Sequence, residues 1–80
     1  MKTLDKVIAI IRNNIISAAE ITADTNMRKD LAVDSLDGLM IMNEIDEVFG
    51  ISVDEEDFKK VNTPGDIVSL LKDKYGIHGS

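Results

Sequence analysis

The stretch DSLDGLMIMNEIDEVFG, residues 34–50, decides the fold. Asp34 and Ser35 suit a helix start and Gly50 a helix stop, so the spacing predicts a helix from Ser35 to Phe49. Stepping about 100° per residue from Leu36 places Ile41, Met42, Ile45, Val48 and Phe49 in an arc of roughly 120° to 240°, the expected core face. Gly38 shares that arc, where the missing side chain is expected to admit a neighbouring helix. Leu36, Leu39 and Met40 fall outside it, among Asn43, Glu47 and the flanking acids Asp37, Glu44 and Asp46. Apolar side chains ringed by acids suit a protein-docking surface, with buried contact for affinity and charge for steering. The plainer reading is a few exposed apolar residues partly covered by a loop.

Working outward, Leu4, Val7, Ile8, Ile11 and Ile15 recur at helical spacing and predict a first helix from about Thr3 to Ile16. Periodicity fades between Ser17 and Val33, which reads as a long ordered loop with room for one helical turn, anchored by Ile21, Met27 and Leu31. Downstream, acids precede lysines in DEEDFKKV, matching the dipole of a short third helix from about Glu55 to Val61. Thr63 is an N-cap and Pro64 an N1 residue for a last helix whose face is Ile67, Leu70, Leu71 and Tyr75, ending at Gly76. The expected fold is all-α: a small four-helix bundle, three longer helices plus a short third, with a long loop between the first two. Residues 1–76 form the expected domain and 77–80 a frayed tail.

Eighty residues make one domain, of a size that buries about 60% of its exposable surface on folding. The chain has no cysteine, so it supplies neither a disulfide nor a thiol nucleophile. The longest apolar run, Val7 to Ile11, falls far short of the roughly 20 residues of a membrane span. With no signal-peptide pattern at its start, the chain is expected to be cytoplasmic. Net charge is −6, and nine acids with no Lys or Arg lie between Asp34 and Asp57. Such a field disfavours nucleic acid and anionic membranes and favours proteins with basic patches. DEED lacks the alternating ligands and glycine of a calcium loop, and no metal site is expected.

Ser35 has two readings. It caps the helix, or it is the substrate of another enzyme: a hydroxyl at a helix N-terminus, once converted to a phosphodiester, places anionic oxygens where free N–H groups favour them. Catalysis by this chain is disfavoured, because the only histidine is His78 near the chain end and no G-x-S-x-G elbow is present.

LAVDSLDGLMIMNEIDEVFGISVDEEDF followed by VNTPGDIVSLL resembles the acyl carrier protein family, and with the first helix the likeness covers nearly the whole chain. Its core is Asp34-Ser35-Leu36 ahead of an acidic helix ending in Phe49-Gly50. The resemblance implies that Ser35, beside Asp34, receives 4'-phosphopantetheine from coenzyme A through a separate transferase, and that the arm's thiol carries acyl groups as thioesters. It implies a carrier rather than an enzyme, serving fatty acid or related lipid or polyketide synthesis as a monomer. It assigns docking on acyl-processing enzymes to Leu36, Asp37, Leu39, Met40, Glu44 and Glu47, and offers Met42, Ile45, Val61, Ile67 and Leu70 as the lining of a cargo cavity, against the plainer and favoured reading that these five are core packing. An amino acid carrier of D-alanyl type and an acidic helical adaptor without covalent modification are the alternatives. Two positions depart from the family pattern: Ala32 where glycine is usual, and Met40 where an acid is common.

Overall fold

A computed structural model describes residues 2–78 of the protein, and among these every regular element is helical. Helix α1 spans Thr3–Asn14, α2 Met27–Asp30, α3 Ser35–Phe49, α4 Glu55–Phe58 and α5 Pro64–Tyr75. The short α2 is the helical turn for which the long loop had room.

The strongest sequence signals fix the ends of α3 and α5. Each begins with a capping box, in which the N-cap side chain accepts the N3 amide and the N3 side chain accepts the N-cap amide: Asp34 with Asp37, and Thr63 with Asp66. Each ends at a glycine in the left-handed region, Gly50 at φ 66° and Gly76 at φ 69°, whose N–H returns to the last turn. Helix α1 stops two residues before the expected end. Ile15 is extended, and Asn14 turns its side-chain amide back onto the Ile10 carbonyl. Helix α4 is shorter than expected as well. The chain must turn inward after Phe58 to bury Val61 and present the Asn62 carbonyl to the Met27 amide.

Helix α1 lies against both α3 and α5. It buries Val7, Ile10 and Ile11, which meet Ile41, Met42 and Ile45 of α3 and Ile67 and Leu71 of α5. Ile10, absent from the expected face, is buried, while Leu4, Ile8 and Ile15 are half-buried. The anchors Ile21, Met27 and Leu31 enter this core as expected, together with Val53 and Val61. Burial of each large apolar side chain stabilises by about 1.5–3 kcal/mol. Val48 departs from its expected core place and is 51% exposed, having sat at the edge of the predicted arc. Beyond Gly76 the Ile77 amide donates to the Leu71 carbonyl and its side chain packs against the core. The expected tail thus begins with an anchored residue, and its last two positions, 79 and 80, lie outside the described residues.

Candidate functional site

The head of α3 is built so that its first residue is spared. Asp34, not Ser35, is the N-cap: its Oδ1 accepts the Asp37 amide at 2.8 Å, and Asp37 returns the bond to the Asp34 amide at 3.4 Å. Ser35 is left at the first helical position with an exposed side chain. A hydroxyl so placed is open to another protein, and anionic oxygens added to it would stand at the positive end of the α3 dipole.

The chain leading to this residue is strained. Ala32 has φ 54°, a region that L-residues other than glycine avoid at a cost of roughly 1–2 kcal/mol. The strain is held by the Val33 amide, which donates to the Met27 carbonyl and closes the segment over α2.

Beside Ser35 opens a groove of about 370 Å³, at the small end of ligand-site volumes. One wall is α3, with Ser35, Gly38, Leu39 and Met42; the others come from α2, α4 and the turn after α4. Gly38 therefore does something other than admit a helix. A methyl group placed there would meet nothing within 4 Å, so the missing side chain leaves room in the groove.

Of the residues assigned to a cargo cavity, Met42 and Val61 line this groove. Ile45 and Ile67 are core residues at 0% exposure and Leu70 is half-buried, and none of the three lines the groove. Met27, Arg28, Val33, Phe58 and Lys59 are wall residues that sequence reasoning did not find. No periodicity marks them, because the loop and the one-turn α4 are brought together only by the tertiary fold.

The outer face of α3 emerges as the helical wheel placed it. Leu36, Leu39 and Met40 are exposed, and with Val48 they leave much apolar surface on one helix. The acids beside them differ in freedom. Asp37 is half-buried in the capping box, while Glu44 accepts from the side-chain amides of Asn14 at 3.0 Å and Asn13 at 3.4 Å. Glu47 is exposed and, with Met40, Asn43, Glu44, Val48 and Asn14, borders a shallow depression. Asp46 instead secures the turn after α3 by accepting the Val53 amide at 2.8 Å. Among the described residues no cluster of His, Cys, Asp and Glu suits a metal ion, and no helix is long and apolar enough to cross a membrane.

Comparison with known proteins gives this arrangement its context. The family described as "Phosphopantetheine attachment site" matches residues 5–71. The acyl carrier protein of Thermotoga maritima is 35% identical over 72 residues, which is 89% of this chain and 89% of that protein. A solved structure from Mycobacterium tuberculosis, described as an acyl carrier protein, superposes with a TM-score of 0.77 at 25% identity, covering 84% of this chain and 90% of the other. The chain belongs to the acyl carrier protein family, whose members bear 4'-phosphopantetheine and carry acyl groups without catalysing their chemistry.

Proposed function

We propose that Ser35 is the attachment residue and that the protein is a discrete, cytoplasmic, monomeric carrier of acyl thioesters for fatty acid or related lipid or polyketide synthesis, with residues 1–76 as the carrier domain. The observation that carries this reading is the capping box. Asp34 and Asp37 satisfy the start of α3 between themselves, so the Ser35 hydroxyl stays exposed and next to an apolar groove. When attached, the arm supplies the thiol that a chain without cysteine lacks, and no protein sulfhydryl competes for the cargo.

Acyl carrier proteins work with a phosphopantetheinyl transferase and with acyl-processing enzymes. For this chain the docking face comprises Leu36, Asp37, Leu39, Met40, Glu44 and Glu47. It is supported by exposed apolar side chains on a helix that carries four acids and no Lys or Arg. Met42 and Val61 serve as the cargo walls, while Ile45, Ile67 and Leu70 act as the packing that backs them.

Incubation of apo protein with coenzyme A, Mg2+ and a promiscuous phosphopantetheinyl transferase should add one phosphopantetheine, read by intact mass. Ser35→Ala should abolish the adduct completely. Because Ser35 is not the cap, the same change should leave the melting temperature nearly unchanged, whereas Asp34→Ala should cost about 1 kcal/mol. An adduct that survives in Ser35→Ala would move the tether elsewhere.

A further inference from the structure

The groove beside Ser35 carries a cation that enters no ion pair among the described residues. Arg28 is exposed at the groove wall, and its Nη2 donates to the Lys59 carbonyl at 3.1 Å across the gap between α2 and the turn after α4. The ion pairs among the described residues are Lys59–Glu56 and Lys74–Asp57, and Arg28 belongs to neither. One bond occupies one of the five N–H donors of a guanidinium, and it also fixes the plane of the others. An oriented guanidinium with free donors matches the two oxygens of a carboxylate better than a lysine does.

The rest of the wall narrows the choice of occupant. Met27, Val33, Leu39, Met42, Phe58 and Val61 make most of it apolar. The charged wall residues are Arg28 and Lys59 against Asp34 and Glu55, so there is no net positive field and selection must come from directed bonds. Asp34 is engaged in the cap. A phosphodiester on Ser35 would stand at the α3 wall, whereas Arg28 is fastened to the opposite side of the groove through Lys59. The volume of about 370 Å³ takes a short acyl group without displacing the walls.

We propose that Arg28 is the specificity-determining residue of the groove, favouring short acyl groups that end in a carboxylate over those of equal length that end in a methyl group. This rests on the reading of Ser35 as the tether. The carboxylate accepts from the free guanidinium donors while the intervening methylenes lie on Leu39, Met42 and Phe58.

The test loads the full chain from free coenzyme A, butyryl-coenzyme A or succinyl-coenzyme A with the same transferase, with intact mass checked before and after melting. The two acyl groups have four carbons each and differ at the far end. In the wild type the succinyl form should melt about 4 °C above the butyryl form, and this gap should close in Arg28→Met and persist in part in Arg28→Lys. Since the comparison is made within each variant, any loss of stability from the substitution itself cancels. The Nε–H resonance of Arg28 should shift in the succinyl form alone.

Equal melting temperatures in the wild type, or a gap that survives in Arg28→Met, would overturn the proposal. So would an Arg28 resonance that already shifts in the unacylated form, which would make the phosphodiester the bound anion. Absence of any adduct from free coenzyme A would defeat the reading of Ser35 itself, and this inference with it.

Discussion

Helices α1, α3 and α5 each bury at least three side chains in the core, whereas α2 buries only Met27 and α4 none. The two short helices are placed by polar ties instead. Asn26 caps α2 and Asp54 caps α4, each accepting two amides. The Tyr75 hydroxyl accepts the Asp54 amide at 2.7 Å, Lys74 pairs with Asp57, and Arg28 reaches the Lys59 carbonyl. One half of the molecule is thus held by burial and the other by individual hydrogen bonds worth about 1 kcal/mol each. The groove lies at their boundary, with α3 as its fixed wall and α2 and α4 as walls that move at small cost. For a carrier that must take up and surrender different cargoes, this places rigidity under the tether and compliance opposite it.

The most direct way to break this comparison is to truncate one side chain from each half. Ile45→Ala, at 0% exposure in the core, should cost about 2–5 kcal/mol in a chemical denaturation. That is a large share of the roughly 5–15 kcal/mol available to a small domain. Phe58→Ala on α4 should cost clearly less, because its ring is already part-exposed in the groove. Equal losses would mean that α4 belongs to the core and that the groove walls are equally rigid.

Tyr75→Phe sharpens the same contrast at a single atom. It removes the acceptor for the Asp54 amide, keeps the ring, and should cost about 1 kcal/mol. Amide exchange should accelerate over residues 54–59 and stay unchanged in α1. A uniform acceleration would show that α4 opens only with the whole bundle.

What the sequence disclosed follows the same division. Helix α3 was legible from Ser35 to Phe49, because its cap, its glycine stop and its central residues Ile41 and Ile45 agree at every level. The wheel failed at its margin. Val48 and Met42 sit at opposite edges of the predicted arc, and only neighbours fixed by the tertiary fold decide that Met42 is buried and Val48 is not. Ser35 was found as a candidate, but the assignment of the cap to Asp34 needed coordinates, since either side chain can accept an N3 amide. The groove was the least legible part. Its far walls come from a loop and a single turn, neither long enough to show a period, and Arg28 reaches Lys59 across 31 positions of sequence.

The strained approach to Ser35 gives a smaller effect. Ala32→Gly removes the clash of Cβ at φ 54°, against which stands the greater freedom of glycine in the unfolded chain. The first is worth roughly 1–2 kcal/mol and the second about 0.4–1 kcal/mol, so the variant should be more stable by about 0.5 kcal/mol or slightly more. Thermal melting checks the sign. A less stable variant would mean that the Val33–Met27 bond does not enforce the left-handed turn, and that the loop before the tether belongs with the compliant half.

The smallest effect is a test of the ties themselves by pH. The Lys74 ammonium is held above its ordinary value of 10.5, first by its hydrogen bond to Asp57 and then by the charges of Asp57, Tyr75 and Asp54, with desolvation acting the other way. A base whose folded value is raised stabilises the fold fully below its unfolded value and loses that contribution as pH rises through the folded one. The difference in melting temperature between the wild type and Lys74→Met should therefore be level from neutrality to about pH 9 and shrink above the ordinary lysine range. Lys74 is solvent-exposed, so the difference should be small and weaker still in high salt. If it is instead level across the whole alkaline range, the ammonium does not help hold α4 to α5. Of the two ties described between the α4 segment and α5, the Tyr75 hydroxyl would then be the one that counts.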